Sequence, residues 1–97
     1  FTFIADVIQA NLRAAISTKS DGHVVNVAYG ERFTLTELAN KVIENIGSSS
    51  TIEYADFRKG DVLHSLADLK TTKDLIDYKP KFDLSLGLLN TIDFYKN

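Results

Sequence analysis

The pattern around Thr34 constrains the chain more than any other. Thr34 and Glu37 stand three apart, the spacing of a capping box, in which each side chain satisfies the other residue's backbone amide. Leu35, Leu38, Ala39, Val42, Ile43 and Ile46 then recur at helical spacing, and Gly47 supplies a stop that tolerates the left-handed conformation. Phe33, just before the cap, is placed to staple onto Leu38. A helix with one apolar face must lay that face on another layer, so its neighbours in sequence have to supply one.

On either side lie short β-branched runs. HVVNVAY at 23–29, closed by Gly30, predicts a buried strand. After a serine loop at 48–50, TIEYA at 51–55 alternates like a second strand, with Ile52 and Tyr54 on one face. Residues 62–67 predict a third short strand. Three further helices are expected. The first runs from Asp6 to about Thr18, with Asp6 capping its opening amides and Ile8, Leu12, Ala15 and Ile16 forming one face. Val7, Ala10 and Ala14 widen that face until only Gln9, Arg13 and Ser17 remain polar, which predicts burial on most sides. Asp68 caps a short helix ending near Ile76, with Pro80 just beyond it. Asp83 caps the last, where Leu84, Leu88, Ile92 and Tyr95 share a face.

The expected class is therefore α/β, a fragment of about four helices and two to three short strands, too few for a complete sheet. No internal repeat divides residues 1–97 into smaller domains. The chain contains no methionine and opens inside an apolar segment, Phe1-Thr2-Phe3-Ile4, which predicts a piece of a longer protein. With 97 residues it buries roughly 60–65% of its unfolded surface. A net charge of −2 provides no field for nucleic acid or an anionic membrane. The absence of cysteine excludes disulfides and thiolate metal sites, and two histidines far apart argue against zinc. No run is long and apolar enough for a membrane span, and a cytoplasmic location is expected.

The chemistry concentrates in FRKGDVLHSLAD at 57–68. Arg58 offers a planar cation for a phosphate, Gly60 lets backbone approach, and Asp61 can accept from a hydroxyl. Such a group of residues also makes an ordinary solvated turn. No glycine-rich fingerprint follows a strand, and no Tyr-x-x-x-Lys occurs, so the chain holds no catalytic residues of its own.

Four segments in order resemble the C-terminal, substrate-binding region of the extended short-chain dehydrogenase/reductases, and among these the NAD-dependent UDP-sugar 4-epimerases. FTFIADV is similar to the family's Arg-Asp-(Phe/Tyr)-x-x-(Ile/Val)-x-Asp-Val, begun two residues in. VNVAYGERFTLTEL resembles its Asn-x-Gly-x-Gly segment and capped helix, and RKGDVLHSLADLKTTKDLI its Arg-x-Gly-Asp-Val stretch and Ala-Asp helix. YKPKFDLSLGLLNTIDFYK resembles its terminal (Tyr/Trp)-x-Pro and Gly-Leu helix. There are departures. Ala28-Tyr29-Gly30 stands for Gly-x-Gly, Asp77 for a glycine that ends the third helix, and Leu86 for an acid. The first puts the close backbone approach at residue 28 in question; the second requires an aspartate in the left-handed conformation.

The resemblance implies that Arg58 holds the substrate diphosphate, Asp61 accepts from the nucleotide ribose, and Phe1 lies beside the uracil ring. It implies that Ser65 sits at a size gate, where a small side chain favours an N-acetylhexosamine. The cofactor it implies is NAD, bound by a Rossmann domain outside these 97 residues, where a tyrosine and lysine would carry proton transfer during epimerisation at C4. On this reading the fragment alone is inactive; its partner is a UDP-sugar, and its surplus apolar helix surface predicts self-association or a homodimer. The alternatives are a non-catalytic sugar-nucleotide-binding or protein-interaction module, and the binding region of a related dehydratase or decarboxylase.

Overall fold

A computed structural model of the chain describes residues 1–62 and 64–97. Four helices form in the order expected: α1 (Ile4–Ile16), α2 (Leu35–Ile46), α3 (Lys70–Ile76) and α4 (Leu84–Lys96). α1 packs on α3 and α2 packs on α4. The molecule measures 50 × 36 × 16 Å, with a radius of gyration of 16.3 Å. A compact chain of this length has a radius of about 12.5 Å, so this one is flattened and extended into a plate. Its buried cluster is small, consisting of Ala10, Ile76 and Tyr78 with Val25, Val27, Leu69 and Leu75 packed around them.

The helix ends show which local signals suffice. At α2 the capping box is complete: the Glu37 amide donates to Thr34 Oγ1 at 3.0 Å, and the Thr34 amide to Glu37 Oε2 at 2.8 Å. Gly47 closes the helix at φ 64°. Asp83 caps α4 by accepting from the Leu86 amide at 2.8 Å. Asp68 accepts from the Lys70 amide at 3.0 Å, one position ahead of the Leu69 N-cap of α3. Asp77 ends α3 in the left-handed region, φ 52°, as its place in the sequence requires.

Two expectations are corrected. Among the described residues no strand forms, neither at 23–29 nor at 51–55; the third expected strand, 62–67, includes position 63, which lies outside them. A strand exists only through a ladder partner, and a plate of helices provides none. The run at 23–29 satisfies its backbone differently. The carbonyls of Asn26 and Ala28, two residues apart and so on one side of an extended chain, accept from Thr72 Oγ1 at 2.6 Å and Tyr78 OH at 2.8 Å.

The second correction concerns Asp6 at the start of α1. Asp6 does not cap it, since the N-cap is Phe3 without a side-chain bond. Instead Asp6 is 1% exposed, and its two carboxylate oxygens accept from the amides of Lys81 at 2.8 Å and Phe82 at 3.0 Å. Gln9 Nε2 donates to the Lys79 carbonyl at 2.9 Å, and its Oε1 accepts from the Lys79 amide at 3.1 Å. Arg13 reaches Asp77 at 3.3 Å, and Ser17 donates to the Leu75 carbonyl at 2.5 Å. The polar stripe therefore forms the seam, because the end of α3 and residues 77–82 present bare backbone polar groups that must find partners. Ile8, Leu12 and Ile16 face outward. On α4, Leu84, Leu88 and Ile92 lie inward as expected, whereas Tyr95 is exposed. Among the described residues no helix is long and apolar enough to cross a membrane.

Candidate functional site

Arg58 and Asp61 occupy one turn. The Asp61 amide donates to the Arg58 carbonyl at 3.2 Å, and Gly60 takes φ 91°, a conformation that costs a glycine nothing and other residues a good deal. The turn brings Arg58 Nε to 3.4 Å from Asp61 Oδ2, a long bond at the edge of the useful range. The Arg58 side chain is 87% exposed, so the pair contributes little to stability and is free to open. Ser65 and His64 are also exposed, without a regular element around them.

Among the described residues two hollows stand out, and neither is lined by Arg58, Asp61 or Ser65. The first, about 130 Å³, is formed by Phe1, Phe3 and Phe82 against Leu84, Gly87 and Leu88 of α4. That volume suits a single ring; pockets for whole drug-sized ligands are about 300–1,000 Å³. Phe3 and Phe82 pack at a centroid distance of 4.7 Å and an angle of 41°, and Phe1, mostly exposed, lines the same hollow. The second hollow, broader and shallower, runs from Tyr29 and Gly30 to residues 66–69. Of the four predicted binding residues, Arg58 and Asp61 are thus brought together. Phe1 joins a separate aromatic hollow, and Ser65 immediately precedes the rim of the other.

The departure at Ala28-Tyr29-Gly30 has a local explanation. The close approach belongs to Gly30, at φ 92°, where a Cβ would stand 3.1 Å from Leu69 Cδ1. Residue 28 needs no glycine, because only its carbonyl is used, as the acceptor for Tyr78. Sequence reasoning missed the pairing of Phe3 with Phe82 around Gly87. Its signal was present in the aromatic before each helix and in a glycine inside the second of them.

No protein-family profile matches the chain. Individual proteins do. A provisionally named UDP-glucose 4-epimerase of Methanocaldococcus jannaschii is 30% identical over 97 residues, all of this chain and 30% of that protein. The UDP-glucose 4-epimerase of Mycolicibacterium smegmatis is 26% identical over 97 residues, again all of this chain and 31% of the relative. Relatives named as UDP-sugar decarboxylases match over similar spans. Among solved structures, a tyrosine-to-phenylalanine variant of UDP-glucuronic acid 4-epimerase from Bacillus cereus superposes with a TM-score of 0.88 at 27% identity. It was solved with UDP-4-deoxy-4-fluoro-glucuronic acid and NAD, and the match covers 99% of this chain and 31% of that one. The chain spans about 30% of the length of the relatives it matches. Over all of its own length, it is similar to part of the UDP-sugar 4-epimerases and decarboxylases.

Proposed function

We infer that the chain is the C-terminal region of an NAD-dependent UDP-sugar 4-epimerase, and that its task is to hold the nucleoside diphosphate while chemistry at C4 proceeds elsewhere. The observation that carries this reading is the Arg58–Asp61 turn, within a fold similar over its whole length to an epimerase solved with a UDP-sugar. Arg58 meets Asp61 through Nε, which leaves the outer fork of the guanidinium for a bidentate contact with the diphosphate. When a phosphate takes the arginine, the Asp61 carboxylate is released to accept from the ribose hydroxyls. Phe1 offers a flat face to uracil, and Ser65 leaves room for an N-acetyl group on the sugar. Binding energy gathered on the nucleotide then orients the reacting carbon, which is how a remote grip raises a rate.

The residues of this chain do not fit NAD. A pyrophosphate needs the free amides of a helix N-terminus. No glycine-rich turn, which would let the pyrophosphate reach such amides, precedes any of the four helices. The hydride acceptor, and the tyrosine and lysine that accompany it in this reading, fall to another part of the protein. The decarboxylase relatives support a second reaction class with the same grip, since holding UDP does not decide what happens to the sugar.

The test is calorimetric titration of UDP into the chain and into Arg58→Ala. Binding that weakens at least tenfold in the variant is expected. Equal behaviour of the two proteins, including no binding by either, overturns the reading.

A further inference from the structure

The Arg58–Asp61 pair closes inside its own turn. The Asp61 amide donates to the Arg58 carbonyl at 3.2 Å, Gly60 turns the chain at φ 91°, and Asp61 Oδ2 then lies 3.4 Å from Arg58 Nε. All of this falls between residues 58 and 61, so the pairing does not depend on what further polypeptide covers. Among the described residues neither Arg58 nor Asp61 has a second ionic partner. Asp77 is arranged differently, between Arg13 at 3.3 Å and Lys79 at 3.6 Å, so that two cations share one carboxylate. In the 58–61 turn the charges match one to one. The balance holds across 56–61 as well, where Asp56 and Asp61 offset Arg58 and Lys59.

This balance bears on what the guanidinium can hold. An anion that takes its outer fork meets a cation already partly neutralised at Nε, with the Asp61 carboxylate beside it. It must sit against that like charge or displace it, and either course costs free energy. A bare pyrophosphate brings charge and little else to compensate the carboxylate. A ligand that also carries hydroxyl groups can donate them to the displaced oxygens, in charge-assisted bonds that make up the cost.

We propose that Asp61 is a selectivity filter acting on Arg58, which admits a nucleoside diphosphate, an anion with sugar hydroxyls attached, and discriminates against simple anions. The proposal rests on the reading of Arg58 as the diphosphate holder and gives Asp61 a second task, that of lowering the affinity of the arginine for phosphate oxygens alone. The size of the effect follows from the geometry. An exposed pair at this distance is weak, and removing its carboxylate should tighten the binding of a simple anion by about two- to fivefold.

Asp61→Asn tests the filter, because it keeps the size of the side chain and removes its charge. UDP and inorganic pyrophosphate are each titrated calorimetrically into the chain, Asp61→Asn and Arg58→Ala at low ionic strength, where screening is least. Pyrophosphate should bind Asp61→Asn about two- to fivefold more tightly than the parent, a gain that shrinks at high salt, and UDP should show no gain. Both ligands should bind Arg58→Ala more weakly. Pyrophosphate binding that is absent, unchanged or weaker in Asp61→Asn overturns the proposal, since Asp61 would then only orient the guanidinium. UDP tightening by the same factor as pyrophosphate also overturns it, because the carboxylate would then act as a plain negative charge without preference. Arg58→Ala that binds UDP as the parent does is a different failure, which removes the diphosphate reading itself and the filter with it.

Discussion

The phenolic hydroxyl of Tyr78 donates to the carbonyl oxygen of Ala28 at 2.8 Å, and this bond ties the end of α3 to the run at 23–29. Tyr78 is 2% exposed, and Asp6 lies close enough to act on its charge. Burial first, and then the Asp6 carboxylate, push the hydroxyl up to about 12 from its ordinary 10. The neutral form is thus the one the fold favours. Its contribution is complete below pH 10 and is lost as pH rises from there through about 12, a loss of about 2–3 kcal/mol at 1.36 kcal/mol per pH unit. Tyr78→Phe should lower stability near neutrality by about 1–2 kcal/mol, because the Ala28 carbonyl loses its donor, and should flatten the alkaline slope. Urea melts at intervals between pH 9.5 and 11.5 read both effects. A slope as steep in the variant as in the parent contradicts this account.

Asp6 carries the next prediction. Its two oxygens accept from two successive amides, which makes it specific for a carboxylate rather than merely for a polar residue. Asp6→Asn keeps the shape and turns one acceptor into a donor facing an N–H. With the site 1% exposed, no water is placed to relieve that clash. A loss of about 2–4 kcal/mol is expected from the broken charge-assisted bond and the stranded amide together. Chemical denaturation should show a lower midpoint with an unchanged slope, since the surface exposed on unfolding is the same. A midpoint shift equivalent to less than about 1 kcal/mol would show that the seam does not depend on this residue.

The contrast between Asp6 and Thr34 shows which parts of the fold were legible in the sequence. The partners of Thr34 lie within three residues, so spacing alone identifies the box, and Gly47 and Asp83 are readable for the same reason. The partners of Asp6 lie 75 and 76 residues away. A local capping rule claims such a residue because nothing nearby contradicts it. The error with the strands has the same origin. The run at 23–29 has the composition of a strand, but pairing is a property of two segments, and here side-chain hydroxyls from 72 and 78 take the carbonyls instead. The polar seam of α1 was not legible for the same reason, since the partners of Gln9, Arg13 and Ser17 lie 58–70 residues away. In the candidate site, the turn joining Arg58 to Asp61 follows from three adjacent positions and Gly60, and so was readable. The aromatic hollow depends on Phe3 meeting Phe82, a contact no periodicity announces.

Asp77 tests whether a left-handed helix end is held by conformation or by charge. It takes φ 52° while its carboxylate meets Arg13 at 3.3 Å and Lys79 at 3.6 Å. Glycine relieves the backbone but removes both exposed ion pairs, each worth about 0–1 kcal/mol, so Asp77→Gly should stay within about 1 kcal/mol of the parent. Asp77→Val keeps neither advantage. A β-branched residue is strained at positive φ, and a loss of about 2 kcal/mol or more is expected. Thermal melts of the two variants at one ionic strength make the comparison. If valine proved as stable as glycine, the turn would have to relax out of the left-handed region.

Gly87 gives a prediction whose sign runs against helix propensity. It lies inside α4, where alanine normally stabilises by about 0.5–1 kcal/mol because it loses less backbone freedom on folding. Here an added Cβ would stand 3.0 Å from Phe3 Cβ and 3.2 Å from its Cγ. Those atoms are at the root of the side chain, next to the backbone at the N-cap of α1, and the ring beyond them is already packed on Phe82. Phe3 therefore cannot yield by rotating, and α1 and α4 must move apart. Overpacking of this kind costs about 1–3 kcal/mol, enough to outweigh the propensity gain. Gly87→Ala should then lower the urea midpoint, whereas in a Phe3→Gly background, which lacks both the Cβ and the Cγ, the same substitution should raise it. The double-mutant cycle isolates the contact, with a coupling of about 1 kcal/mol or more expected for two groups that touch. A Gly87→Ala protein more stable than its parent would mean that the glycine is there for some reason other than the approach of Phe3.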